Sequence, residues 1–248
     1  MQKVCIVIPC YNEQDRLPAD EFKTFLAASG SVYFCFVNDG SKDNTLKILN
    51  NLHNSWPGKT MVLSLESNFG KAEAVRRGML ESLKWMDFDC VGYFDADLST
   101  PLFEIQNLLD HLNQNKVYQI AFGSRVKRIG ARVKRNASRH YPSRILATLI
   151  GMSLKLPVYD TQCGAKLVKA DIVPELFKMP FISRWLFDVE IFTRVVRLFG
   201  LEKSLEIMIE VPLRQWIDKP GSKIRPTYLF KVPLELLKIR LAYRRDNE

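Results

Sequence analysis

Five strand-like apolar runs, at residues 4–8, 33–37, 61–65, 90–94 and 119–122, alternate with helical patterns at 20–28, 43–52, 72–86 and 103–114. Nothing else in the chain restricts its fold so strongly. A strand with one wet face alternates apolar with polar residues, and "VCIVI" and "FCFV" do not; such strands expect cover on both faces. Continuous apolar strands linked by helices describe a mostly parallel α/β sheet. In such sheets ligands bind beyond the carboxyl ends of the strands. The first, second and fourth runs finish there in "PCYNE", "NDGSKDNT" and "DADLSTP". Three polar clusters delivered to one edge describe one site.

"YFDADLSTP" is the sharpest of them. A buried strand delivers Asp95 and Asp97 across a short gap. Two carboxylates so placed repel unless a cation sits between or beside them. Mg²⁺ and Mn²⁺ favour few carboxylates completed by phosphate oxygens and water. The competing reading has Asp97 capping a helix after Pro101 with Asp95 in the turn, although Ser99 or Thr100 could cap instead. In "NDGSKDNT", Asp39-Gly40 makes a tight turn and Ser41 or Asp43 can cap the next helix. Asp39 is then free to accept hydrogen bonds from a base or ribose hydroxyl. "SNFGKAEAV" does not complete a phosphate loop, since that pattern needs Gly at Leu65 and Ser or Thr at Ala72. Gly70 and Lys71 still open a helix whose N–H groups and cation could meet a phosphate; otherwise Lys71 is a solvated first-turn lysine.

The second half is less regular. A helical stretch around 143–154 leads to "DTQCGAKLVKAD", a helix through "RWLFDVEIFTRVVRLFG" and a strand-like "LEIMIEVPLRQW". The tail "RPTYLFKVPLELLKIRLAYRR" is apolar and basic together. One domain over 1–224 with an amphipathic basic segment at 225–248 is the expected organisation. On a helix started by Pro233, Leu234, Leu237 and Leu241 share one stripe, while Glu235, Lys238 and Arg245 lie towards another face. That stripe suits either an interfacial helix or a helix packed on the protein's own core.

Net charge is +9, and between residues 124 and 155 stand nine basic residues (Arg125, Lys127, Arg128, Arg132, Lys134, Arg135, Arg139, Arg144, Lys155) and no acid. The rest of the chain is balanced. A basic block on a balanced body expects a local anionic partner. Nucleic acid is disfavoured, because no aromatic residue interleaves the cations from Arg125 to Arg139. Five dispersed cysteines with no CxxC pair argue against zinc and a disulfide framework, and suit a reducing compartment. No signal peptide or membrane span is expected, and Asn136-Ala137-Ser138 matches a glycosylation acceptor by pattern alone.

"PCYNE", "VNDGSKDNT", "NFGKAEAVRRGM", "DADLSTP", "GSR", "DTQCGAKL" and "RWLFDVE", in this order, resemble the family 2 glycosyltransferases. The resemblance is greatest to dolichyl-phosphate or polyprenyl-phosphate β-glucosyltransferases, with dolichyl-phosphate mannosyltransferases as near relatives. It implies a GT-A fold and transfer, with inversion, of a sugar from a nucleotide diphosphate to a lipid phosphate. It implies that Pro9, Tyr11, Glu13, Asp39, Gly40, Lys71, Asp95, Ala96 and Asp97 line the nucleotide-sugar pocket. Asp95 and Asp97 would hold a divalent cofactor, Mg²⁺ or Mn²⁺, on the diphosphate. The mannosyl relatives carry Gln as a further ligand where this chain has Ser99. Arg125 and Gln162 would meet the acceptor phosphate, and the catalytic set would be Asp97, Arg125 and Asp188. A neighbouring reading pairs Asp188 with Arg184 on one helix; Cys163 reads as structural.

The resemblance further implies a UDP-sugar, with glucose favoured, a polyprenyl phosphate acceptor, and a cytoplasmic protein peripheral on the membrane face. The alternatives are a saccharide acceptor, for which Asp188 would be an indispensable base, and a non-catalytic nucleotide- or anion-binding module.

Overall fold

The computed structural model describes residues 2–134, 151, 155–219 and 231–244. The first half follows the expected alternation: β1 (Val4–Cys10), α1 (Ala19–Ala28), β2 (Val32–Asn38), α2 (Thr45–Ser55), β3 (Thr60–Ser64), α3 (Lys71–Trp85), β4 (Cys90–Phe94), α4 (Glu104–Leu112) and β5 (Ile120–Ser124). Then come β6 (Arg132–Lys134), β7 (Ala165–Lys169), α5 (Val173–Phe177), α6 (Phe187–Phe199), α7 (Leu201–Ile207), β8 (Met208–Pro212), β9 (Gln215–Ile217) and α8 (Val232–Arg244). The helix expected at 143–154 falls outside the described residues except at Gly151, as do Arg135, Arg139, Arg144, Asn136-Ala137-Ser138 and the segments 220–230 and 245–248.

The seven-stranded sheet runs β3-β2-β1-β4-β7-β5-β8. Every pairing in it is parallel except those of β7, which runs against both β4 and β5. The strand period of two sends successive side chains to opposite faces. Val4, Ile6 and Ile8 meet Phe22, Leu26 and Leu49 of α1 and α2 on one face. Cys5 and Val7 meet Val75 and Met79 of α3 on the other. The continuous apolar strands therefore have the two-sided cover that their composition demands. Phe22 stands edge-on to Phe34 and to Phe36, each pair 5.2 Å between centroids, and each such pair adds about 1 kcal/mol to area burial.

The antiparallel β7 was not evident in the sequence. It matters because it enters the sheet where β4 leaves: Ala165 pairs with Phe94. The segment before β7 therefore lies at the same edge as the ends of β1, β2, β4 and β5. The stretch 205–216, which reads as one strand, divides into the end of α7, then β8 and β9. α8 packs Val232 and Ile239 on Leu186 and Val189. Its Tyr243 hydroxyl accepts from Arg194 Nε at 2.7 Å, fastening the helix to α6. The leucines of the tail are not the packed stripe: Leu234, Leu237 and Leu241 are 56%, 50% and 48% exposed.

Candidate active site

The loops after β1 and β2 are laced together before any side chain faces a ligand. Asn12, at φ +48°, donates its N–H to Ser41 Oγ at 3.0 Å, and its Oδ1 accepts from Lys42 N at 2.9 Å. Glu13 N donates to Thr45 Oγ1 at 2.7 Å. Pro9 and Tyr11 are half-buried beside them and Glu13 is buried, its carboxylate 3.6 Å from Arg16. Of the two cap candidates at α2, Ser41 is engaged by Asn12 instead, whereas Asp43, one residue before the flanking Asn44, accepts from the N–H of Thr45, the first helical residue, at 2.9 Å, and from Gln14 N at 3.2 Å.

Asp39 is buried, and its two oxygens accept from Phe69 N at 2.8 Å and Gly70 N at 2.9 Å. It thereby fixes the segment that opens α3. Gly40 beside it has φ +65°, and a β-carbon there would run into the backbone of Ser67 and Asn68, so only glycine permits this approach. Asp39 is not spent on capping α2, and with one backbone donor on each oxygen its remaining lone pairs are what it could offer a base or ribose.

Asp95 and Asp97 stand at the end of β4 with a cation each. Lys71 Nζ, from the first turn of α3, donates to Asp95 Oδ1. Arg16, which the sequence did not mark, donates to Asp97 Oδ2 at 2.7 Å. Asp97 Oδ1 accepts from Ser99 N at 3.0 Å, a local turn; α4 starts only at Glu104 and carries no side-chain cap. Asp97 is thus no helix cap, and Lys71 is no solvated lysine. Burial works against the Lys71 ammonium, but Asp95, then Asp188 and Asp97, outweigh it and raise its pKa. Ala96 is buried between the two acids, and Leu98 at φ +50° closes the turn onto Asp95 O at 3.1 Å.

The described residues contain no group of three or more His, Cys, Asp or Glu side chains placed to hold a metal ion by themselves. The two carboxylates nevertheless fit a small hard divalent ion. They supply only oxygen donors, Asp95 is 38% and Asp97 18% exposed at the side chain, and the rest of the shell is left for substrate oxygens and water.

Across the edge, Arg125 follows β5. Its Nε and Nη2 hold Asp160 Oδ2 and Oδ1 at 2.6 and 2.7 Å, a bidentate fork. Its guanidinium lies 5.3 Å from the Trp216 ring centroid. Burial opposes the charge, and Asp160 overrides it to push the pKa up. Asp160 is therefore a principal partner that the sequence reading passed over. Its N–H and that of Tyr159 donate to Glu210 at 2.8 and 2.9 Å. Gln162 follows, and its Nε2, like Thr161 Oγ1, is buried without a hydrogen-bond partner among the described residues. Gly164 touches Asp95 directly: Asp95 N donates to Gly164 O at 3.1 Å, and a β-carbon on Gly164 would overlap the Asp95 carboxylate.

Asp188 lies beneath this edge and does not pair with Arg184. Lys166 Nζ, 1% exposed at the side chain, donates to Asp188 Oδ1 at 2.6 Å. The same ammonium donates to Thr161 O at 3.0 Å and Cys163 O at 2.8 Å, and Tyr93 donates its hydroxyl to Asp188 Oδ1. Burial, then Asp188, pushes the Tyr93 pKa well up. Burial likewise lifts the Cys163 thiol to about 12, which suits a structural residue. The chain thus brings the strand-end acids, Lys71, Arg125 and the 160–164 segment to one edge, with Asp188 as an internal support.

Residues 5–177 match the family model described as glycosyl transferase family 2. The chain is 31% identical over 251 residues to a dolichyl-phosphate beta-glucosyltransferase of Trichomonas vaginalis, covering 96% of this chain and 73% of that one. It is 29% identical over 260 residues to the human dolichyl-phosphate beta-glucosyltransferase, covering 98% and 76%. Among solved structures, mannosyl-3-phosphoglycerate synthase from Rubrobacter xylanophilus superposes with a TM-score of 0.73 at 16% identity, over 100% of this chain and 76% of that one. Glucosyl-3-phosphoglycerate synthase from Mycobacterium tuberculosis, in complex with Mn²⁺, UDP-glucose and phosphoglyceric acid, gives 0.67 at 16% identity, over 100% and 81%. At these identities the two structures establish a shared GT-A-like fold.

Proposed function

This chain belongs to glycosyltransferase family 2, and on that premise we propose that it transfers glucose, with inversion, from UDP-glucose to a polyprenyl or dolichyl phosphate. The observation that carries the reading is the meeting of Asp95, Asp97, Lys71, Arg125 and Gly164 at one sheet edge in a chain whose relatives bear that activity in name. Support for the donor comes from the UDP-glucose bound to a structural neighbour of the same fold.

In the proposed reaction an oxygen of the acceptor phosphate attacks the anomeric carbon. The bond from that carbon to the diphosphate breaks, and UDP leaves. A phosphate monoester is already ionised at neutral pH, so no dedicated base is needed; orientation and charge neutralisation do the work. Pro9, Tyr11, Glu13, Asp39 and Gly40 shape the nucleotide pocket. Lys71, held at Asp95, offers a fixed cation to the departing diphosphate. Asp95 and Asp97 would hold Mg²⁺ or Mn²⁺, which when bound neutralises diphosphate oxygens. Arg125 and Gln162 serve the acceptor side, with Asp160 holding Arg125 in place. Asp188 acts through Lys166, whose ammonium ties down the carbonyls of Thr161 and Cys163. A saccharide acceptor would need Asp188 as a base, and its engagement by Lys166 and Tyr93 weighs against that version.

The chain would work as a peripheral protein on a membrane face, with α8 as the contact. No described helix is long and apolar enough to cross a membrane.

The test is calorimetry and transfer assay with UDP-glucose, GDP-mannose and dolichyl phosphate. UDP should bind more tightly with Mn²⁺ than with EDTA, and Asp97→Ala should remove the difference. Transfer should follow UDP-glucose and need the lipid phosphate. UDP and GDP affinities indifferent to metal and mutation would sink the donor site, and transfer to free sugars alone would sink the acceptor.

A further inference from the structure

The two strand-end acids each carry a cation, and the two cations are not held alike. Lys71 Nζ donates to Asp95 and also feels Asp188 and Asp97, so three carboxylates keep it where it is. Arg16 reaches Asp97 from the segment between β1 and α1. Its Nη2 donates to Asp97 Oδ2 at 2.7 Å, and its Nη1 lies 3.6 Å from Glu13 Oε2. The guanidinium therefore bridges one acid of the metal pair and a second carboxylate in its own turn. The backbone beneath it is fixed, since Arg16 N and Leu17 N both donate to Glu13 O, at 3.0 and 2.8 Å. The side chain is long and 26% exposed, so it can turn while the loop stays.

Asp97 has a donor on each oxygen. Ser99 N–H holds Oδ1 at 3.0 Å. That bond belongs to the turn in which Leu98 N donates to Asp95 O at 3.1 Å, and losing it would open the turn. Arg16, on Oδ2, is the donor that can leave. A Mg²⁺ ion sits about 2.1 Å from the oxygens that bind it. A full positive charge already touching the same carboxylate opposes such an ion, and partial burial weakens the solvent screening between them. Glu13, on the far side of the guanidinium, gives the displaced charge a carboxylate to return to.

We propose that Arg16 is a built-in placeholder for the divalent ion: it neutralises Asp97 when no metal is bound, and it must swing from Asp97 to Glu13 before metal is held. The proposal rests on the donor-site reading given above and adds to it a residue that controls loading. Metal alone is held weakly, because displacing Arg16 opposes its binding. Diphosphate oxygens complete the shell and offset that loss, so ion and nucleotide load together. Lys71 stays on Asp95 throughout.

Mn²⁺ titrated into the full chain without nucleotide, with the free ion read by electron paramagnetic resonance, tests this apart from any turnover. Arg16→Gln should bind Mn²⁺ at least about tenfold more tightly than the wild type, because a contacting like charge is gone. Lys42, exposed in the loop after β2, is the control: Lys42→Gln removes the same charge and should change the affinity less than about twofold, since salt screens an exposed charge. No gain in Arg16→Gln, or an equal gain in both variants, would overturn the placeholder. Circular dichroism checks that both variants fold. A second measurement needs only the wild type and a marker. The Arg16 Nε–H signal, assigned by its loss in Arg16→Lys, should shift when Mg²⁺ replaces EDTA with UDP present in both samples. A signal that stays in place would mean that Arg16 never leaves Asp97, and would equally overturn the proposal. These failures leave the donor site standing. Wild-type UDP affinity that ignores metal would sink the donor site itself, and the placeholder with it.

Discussion

Gly164 and the carboxylate of Asp95 occupy neighbouring space with no room for a methyl group between them. The contact joins β4, which carries the acids, to the segment that enters β7. Gly164→Ala should push the Asp95 carboxylate aside and lower metal-dependent UDP affinity at least about tenfold, since inserting a methyl into such a contact costs roughly 1–3 kcal/mol. Gly58→Ala meets nothing within 4 Å and is the matched control. Calorimetry on both variants checks this; equal UDP affinities would mean that Asp95 relaxes freely.

The Lys166–Asp188 pair should behave as one unit. Removing one partner of a buried pair leaves an uncompensated charge and costs about 3–5 kcal/mol. Lys166→Met and Asp188→Asn should each show that loss in urea unfolding. The double variant should lose clearly less than the sum of the singles. Additive losses would mean the two side chains do not depend on each other.

Much of this edge was legible in the chain. The runs that became β1, β2 and β4 are uninterrupted, so nothing local competes with a buried strand. The polar clusters at their ends then mark the edge without further information. β7 was not legible, because "AKLVK" places Lys166 and Lys169 in a five-residue strand. A buried lysine there makes sense only once Asp188, 22 residues on, is seen beside it. Asp160 and Arg16 were hidden for the same reason: their partners, Arg125 and Asp97, are 35 and 81 residues away. Short-range pattern tells where an acid stands, and long-range pairing tells what it holds.

Acidity should report on Glu210. Burial pushes its pKa up, against the hydrogen bonds donated by Tyr159 and Asp160 N–H. A carboxyl raised in the folded state binds its proton more tightly there than in the unfolded chain. Its contribution is therefore fully present below the ordinary glutamate range and is lost as pH rises towards the raised value. Glu210→Gln does not titrate. Its stability deficit against the wild type, read from urea midpoints, should shrink between pH 4.5 and neutrality. A deficit that grows with pH would reverse the sign of the shift.

The exposed leucines of α8 give a prediction about surfaces. The triple variant Leu234→Ser/Leu237→Ser/Leu241→Ser should keep its melting temperature within a few degrees, because these side chains are half-exposed and surface changes cost little. It should nevertheless lose flotation with anionic liposomes, and wild-type flotation should weaken with salt. Equal recovery of wild type with neutral and anionic vesicles, or none with either, would return α8 to a purely structural role.

The strand order also sets a sequence of events in time. β1 to β4 end at Phe94, and their pairings, from Val4 with Val32 to Val4 with Cys90, need nothing that comes later in the chain. β5 pairs with β7 and β8, so Ile120 must wait for Val168 and Met208. Loop closure must precede the contacts that repay it, and a chain emerges from synthesis amino end first. The part of the edge built by β1 to β4 is thus complete while the part built by β5 and β8 is still unmade, and pulse-labelled hydrogen exchange would find protection on β1 before β8. A nascent chain of this kind carries its strand-end acids before the arginine and the 160–164 segment that will face them.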